Sequence, residues 1–216
     1  LFEDDLYTFI DEYQSVCLDL ESKRNTNHNS FGLSLKDELS VNLPDLAVND
    51  IYENIIELRT SKQPCEIRAL RNAINTTQKG IETLMKNAKA GMYEYQLEAY
   101  FDLTIKQDGN KPTSFKTIAA SGVNATTLHY SANNCVIKDG DLILFDLGCK
   151  DNGYCSDITR TFPVNGKFSP LQKKIYNIVL KANKKICEAF KKFVQLLPPL
   201  VEPKHYGKFI EGIKHK

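Results

Sequence analysis

The stretch DGDLILFDLGCKDNGYCSDITRTF, Asp139 to Phe162, constrains this chain more than any other. Four consecutive apolar residues, Leu142-Ile143-Leu144-Phe145, read as a buried strand, and that strand runs straight into Asp146. A folding chain does not carry an ionised carboxylate into a core without a partner. Five carboxylates crowd this run, and Asp157 follows Asp146 by eleven positions across Asn152-Gly153, a dipeptide suited to a tight hairpin turn. Paired antiparallel strands joined there bring Asp146 and Asp157 to one face. Two adjacent carboxylates repel and push one pKa up unless a cation lies between them. All-oxygen ligands suit a hard ion such as manganese. The competing reading is exposed hairpin charge, which suits Asp151 and suits Asp146 poorly.

The surrounding pattern is helix, helix, antiparallel strands, helix, an α+β order. Pro64 stands at a helix start, and Ile67, Leu70, Ile74, Ile81 and Leu84 recur at helical spacing to about Asn87. A second helix spans about Tyr93 to Gln107, its aromatic stripe read as core, and Asp108-Gly109-Asn110 closes it. SFKTIAASG and TTLHYS read as strands around a Gly122-Val123-Asn124 turn. CVIKDGDLILFDLG reads as a hairpin closed at Asp139-Gly140, and GYCSDITRTFPV as a further strand. Ser169 and Pro170 then mark the N-cap and first position of a long amphipathic helix. His129 lies between the first strands and the two-Asp hairpin. A lone His on a strand serves either as a structural hydrogen-bonder or as a catalyst, and its placement there keeps the catalytic reading open.

Composition excludes several classes. With 28 basic and 27 acidic residues the net charge is +1, so neither a nucleic acid nor a membrane surface is indicated as partner. No apolar run approaches the length of a membrane span, and LFEDDLYTF lacks the features of a secretion signal. The absence of an initiator Met suggests a start inside a longer gene product. Cys17, Cys65, Cys135, Cys149, Cys155 and Cys187 form no CxxC pair, and no His or further Cys stands near Cys149 and Cys155 at zinc-finger spacing. Reduced thiols in a cytoplasmic protein are the expectation. KRNTNHNSFG reads as a polar loop, and the Pro-, Lys- and His-rich end of the chain as an exposed tail.

ASGVNATTLHY, KDGDLILFDLG and YCSDITRTFPVNGKFSPLQKKIYNIVLKAN together resemble the Xaa-Pro aminopeptidases and dipeptidases of the pita-bread metallopeptidase family, from about Asp50 to Asn183. The methionine aminopeptidase branch typically has Gly after the His. Tyr130 stands there in this chain, which favours the proline-directed branch. The resemblance implies a pita-bread (creatinase/aminopeptidase) fold of which this chain holds the first half. It places the end of an N-terminal creatinase-like domain and linker at 1–54, the pita-bread half at 55–195 and a tail at 196–216. It implies that Asp146 chelates one metal and Asp157 bridges two, with a shared hydroxide as nucleophile. By the same resemblance His129 hydrogen-bonds substrate near the scissile bond, and Thr159 sits beside the metals. Two divalent ions, manganese first with cobalt or zinc as alternatives, are the implied cofactors. A peptide with Pro at its second position is the implied substrate.

One departure stands out. The family's site needs a His and two Glu further downstream, on separate strands, and only 59 residues follow Asp157. Glu202, His205 and Glu211 have suitable side chains but fall within ten residues, too close together for separate strands. Half a site and half a sheet lead us to expect a completing chain or homo-oligomer covering an exposed edge, and no peptidase activity from this chain alone. The alternative is a catalytically silent pita-bread module binding peptides or proteins, against which the retained Asp146, Asp157 and His129 argue. Creatinase-like amidinohydrolase chemistry is disfavoured by the peptidase-like SDITRTFPV run.

Overall fold

A computed structural model describes residues 3–10, 12–20, 31–109 and 111–196. Most of the KRNTNHNSFG loop, the tail beyond Leu196, and Glu202, His205 and Glu211 with it, lie outside the described residues. The chain divides into two compact units between Lys62 and Gln63. In the first unit, helix α1 (Glu3–Ile10) precedes strand β1 (Ser15–Leu18), which pairs in parallel with β2 (Ala47–Asp50). Helix α2 (Phe31–Asn42) lies between those strands in sequence and α3 (Tyr52–Thr60) follows them. Phe31 and Gly32, read as the end of a polar loop, in fact open α2. The Oδ1 of Asp50 accepts hydrogen bonds from the Leu20 and Tyr52 N–H groups at 3.3 and 3.0 Å, tying the strand end to the start of α3.

The second unit is built on helices α4 (Pro64–Asn87) and α5 (Glu94–Gln107) and a three-stranded antiparallel sheet. Its strands are β3 (Ile118–Ser121), β4 (Leu142–Leu147) and β7 (Ile158–Pro163), in the order β3-β4-β7. A small hairpin, β5 (Lys150–Asp151) with β6 (Tyr154–Cys155), interrupts the chain between β4 and β7. α4 begins as the sequence indicates, with Pro64 in its first turn and a reciprocal cap between Gln63 and Glu66.

The strand β4 alternates. Ile143, Phe145 and Leu147 are buried, whereas Leu142, Leu144 and Asp146 are half-buried. Ile143, Phe145 and Leu147 join Ala73, Ile81, Leu84, Leu97, Phe101 and Ile105 in one core, so the two helices cover one face of the sheet. Asp146 therefore lies on the face turned away from that core, and the run before it is not buried on both sides.

The packing face of α4 also differs from its apolar stripe. Ile67 and Ile74 are exposed, and the buried residues are Ala69, Ala73, Thr76, Thr77, Gly80, Ile81 and Leu84. Small side chains let the helices approach closely. A Cβ on Gly80 would lie 2.4 Å from the Phe101 ring, so α5 presses its largest core side chain onto bare backbone.

Two strand readings are corrected. TTLHYS is not a strand: a 3-10 helix, Gly122–Thr126, follows β3, and the chain then runs irregularly to Asn134. The segment before Asp139-Gly140 does turn back, but it does not pair with β4. Instead the Ile137 and Glu94 N–H groups donate to the Met92 and Cys135 carbonyls, which joins that segment to the start of α5. Local turn chemistry located the bend, and the competition between possible partner strands was decided by packing. α6 (Pro170–Leu196) begins with the expected cap: Ser169 Oγ accepts from the Gln172 N–H at 3.2 Å and Gln172 Oε1 accepts from the Ser169 N–H at 2.8 Å.

Candidate metal centre

The five carboxylates of Asp139–Phe162 separate by role. Asp141 Oδ2 accepts from the Lys138 N–H at 2.8 Å and closes a turn, and Asp139 Oδ1 accepts from Asn165 Nδ2 at 3.1 Å. Asp151, read as an exposed hairpin charge, is half-buried instead. It faces Lys111 at 3.6 Å and accepts from Asn72 Nδ2 at 3.2 Å, partners from distant elements. Asp146 and Asp157 remain, and the backbone brings them together.

The register shows how. Asp146 stands opposite Thr159, and Leu147 opposite Ile158, so Asp157 enters β7 on the side of the sheet that carries Asp146. The turn that returns the chain has Asn152 and Gly153 at φ 47° and 84°, the paired left-handed conformations of a tight hairpin. Gly148 sets how closely the returning segment approaches. A Cβ there would lie 1.9 Å from the Ser156 carbonyl oxygen, and the Ser156 N–H donates to the Cys149 carbonyl at 3.0 Å. Beneath this contact the hydroxyls of Thr77 and Ser156 lie 2.7 Å apart, and both accept from the Cys149 N–H. An isolated Gly at a strand end signals such a close backbone approach, and Gly148 is the sequence signal that could locate this contact.

Desolvation comes first in holding the Asp157 carboxyl above the usual carboxylate range, followed by the Asp146 charge and a hydrogen bond shared with Asp146. Thr159 Oγ1 donates to Asp146 Oδ1 at 2.8 Å and orients it. Two carboxylates on one sheet face and a hydroxyl make an oxygen-donor set that fits a divalent cation. Among the described residues no third His, Cys, Asp or Glu joins them.

His129 is exposed, in the irregular segment after the 3-10 helix, with its backbone in the left-handed region at φ 53°. The hydrogen bonds that join Asp146, Asp157 and Thr159 do not include it. Its neighbour Tyr130 is anchored: the Tyr130 hydroxyl donates to Glu94 Oε2 at 2.7 Å. Glu94 itself is fully buried, and nothing in its immediate sequence neighbours marks it as such.

Comparison with known proteins gives the chain the pita-bread fold of a class of hydrolases. The sequence model of metallopeptidase family M24 matches residues 68–196. The chain belongs to metallopeptidase family M24. It is 45% identical over 126 residues to an Xaa-Pro aminopeptidase of Escherichia coli, a match covering 58% of this chain and 29% of that protein. It is 37% identical over 146 residues to an Xaa-Pro dipeptidase of Rattus norvegicus, covering 65% of this chain and 30% of the relative. Among solved structures, proline aminopeptidase P II from Yersinia pestis superposes with a TM-score of 0.74 at 32% identity, over 84% of this chain and 42% of that one. The chain thus spans about a third of the length of the curated relatives it matches.

Proposed function

We propose that this chain carries the first half of a dinuclear-metal Xaa-Pro aminopeptidase centre, acting on peptides with proline in the second position. The observation that carries the reading is the register that sets Asp146 and Asp157 on one sheet face, away from the helical core, with Thr159 bonded to Asp146. Asp146 and Asp157 are the residues that would hold divalent ions, with manganese favoured by the all-oxygen donors. Bound there, such ions supply Lewis acidity and acidified water for amide hydrolysis. Thr159 holds Asp146 in place by donating to it, which leaves the remaining carboxylate lone pairs free to act as ligands. His129, exposed on its loop, is the residue we assign to hydrogen-bonding the peptide near the scissile bond. The resemblance implies a further His and two Glu in such a centre.

The apolar face of α6 supports a covering partner. Leu171, Ile175, Ile178, Val179, Ile186 and Phe190 are exposed on it, and a groove of about 580 Å³ runs between this helix and β7, with Thr159 in its wall. A completing chain or a second copy in the cytoplasm is the occupant this reading calls for. No helix among the described residues is long and apolar enough to cross a membrane.

The test has two parts. Titration of the 216-residue chain with Mn²⁺, followed by electron paramagnetic resonance, should show weak binding that Asp146→Ala removes. An Xaa-Pro peptide should be hydrolysed by a longer form that contains the downstream ligands and not by this chain alone. Binding that survives Asp146→Ala would overturn the assignment of the pair, and a longer form that binds Mn²⁺ yet cleaves no peptide would favour a silent peptide-binding module.

A further inference from the structure

Glu94 is a carboxylate with no exposure, outside the Asp146–Asp157 pair, and it collects five donors. Its Oε1 accepts from the Ser121 N–H at 2.7 Å, the Ser121 Oγ at 2.8 Å and Asn124 Nδ2 at 3.0 Å. Its Oε2 accepts from the Tyr130 hydroxyl at 2.7 Å and the Cys135 N–H at 3.0 Å. The donors come from the last residue of β3, the 3-10 helix, the residue after His129, and the point where the chain returns to α5. One side chain thus grips a loop of fifteen residues, 121–135, at both ends and in the middle. Asn133 adds a second clip: Nδ2 donates to Glu98 Oε2 and to the Thr117 carbonyl, each at 2.8 Å, and Oδ1 accepts from the Ala119 N–H at 3.0 Å.

We propose that Glu94 is the positioning residue of the His129 loop, fixing where the imidazole stands without touching substrate itself. His129 is exposed and its backbone sits in a sparsely used left-handed conformation, so its place is set by what holds its neighbours. Tyr130 is the adjacent residue, and its hydroxyl lies between Glu94 and Asn124, donating to the first and accepting from the second at 3.2 Å. Burial alone would push the Glu94 carboxyl up, but hydrogen bonds from Asn124, Tyr130, Ser121 and Cys135 outweigh it and hold the group below the usual range. It is therefore ionised at neutral pH, and charge-assisted bonds are the stronger kind. A glutamine cannot replace it. Its amide nitrogen donates and does not accept, so either the Ser121 side or the Cys135 side loses its acceptor.

The anchoring of the loop stands on these contacts, and its consequence for catalysis rests on the metallopeptidase reading of His129. The experiment is NMR on the 216-residue chain. His129→Ala identifies the His129 signal among the four histidines. Glu94→Gln should move or split that signal and speed amide exchange at Ser121 or Cys135 by about ten-fold or more. Tyr130→Phe, which removes one donor and leaves the buried charge, should move the His129 signal in the same direction by less. A folded Glu94→Gln protein with His129 and both amides unchanged would overturn the proposal. If Glu94→Gln does not fold, Tyr130→Phe decides, and an unmoved His129 signal then overturns it. In a longer form that cleaves an Xaa-Pro peptide, adding Glu94→Gln to His129→Ala should lower kcat no further than His129→Ala alone. Should His129→Ala leave turnover unchanged, the peptidase role of His129 fails while the NMR result judges the loop anchor separately.

Discussion

Replacing Gly148 with Ala should damage both the stability of the second unit and the meeting of Asp146 with Asp157. The added Cβ would lie 1.9 Å from the Ser156 carbonyl oxygen and 2.7 Å from its carbon, and real Cβ contacts essentially never fall under 3.0 Å. The obstacle is backbone, so no rotamer change relieves it. The segment carrying Ser156 and Asp157 must withdraw by at least 1.1 Å, the gap between that limit and the observed approach. Such a shift strains at least two of the three bonds that fasten Ser156 to Cys149, each 3.0 Å long, one from the Ser156 backbone N–H and one to its side-chain hydroxyl. Overpacking costs about 1–3 kcal/mol, and two weakened hydrogen bonds add about 1 kcal/mol each. The total is about 3–5 kcal/mol, read as a lower urea midpoint at unchanged slope. The same displacement should weaken Mn²⁺ binding even below the unfolding transition, because Asp157 moves with Ser156. A Gly148→Ala protein within about 1 kcal/mol of the parent, with its Mn²⁺ binding intact, would refute the reasoning.

Three further outcomes follow from the packing and the charges. Gly80→Ala drives a methyl to 2.4 Å from the Phe101 ring and should cost about 1–3 kcal/mol. Combined with Phe101→Leu it should cost less than the sum of the two, since the smaller side chain vacates the contested space, and a double-mutant cycle in urea measures the difference. Thr159→Val removes the donor to Asp146 and should lower Mn²⁺ affinity by about ten-fold while shifting the urea midpoint little. For Glu94 the folded pKa lies below the unfolded one. Its stabilisation is therefore fully present above the unfolded value of about 4.3 and is lost as pH falls through the lower folded value. Urea midpoints followed from about pH 6 to about pH 3 should fall for the parent chain and fall less steeply for Glu94→Gln.

Much of the site's geometry was legible in the residues. The Asn152-Gly153 turn, the two-residue period of a strand and the spacing of Asp146 from Asp157 are local rules, and together they put both carboxylates on one sheet face. Thr159 follows from the same period. The extents of α4 and α5, and the start of α6, were equally local, written in caps and helical spacing. What escaped the sequence depends on residues far apart in the chain. Asp151 reads as a hairpin charge until Lys111 and Asn72 arrive beside it. The core face of α4 was offset from its apolar stripe because Phe101 needs the bare backbone of Gly80, a demand that only the neighbouring helix makes. Glu94 carries no local sign of burial, since its five donors lie 27 to 41 positions away. Periodicity and turn chemistry act through neighbours in sequence, so the chain alone determined which carboxylates could meet. Burial and long-range hydrogen bonding depend on partners in space, and the tertiary structure alone decided which charges are held, how tightly the sheet closes on Ser156, and what fixes the loop that carries His129.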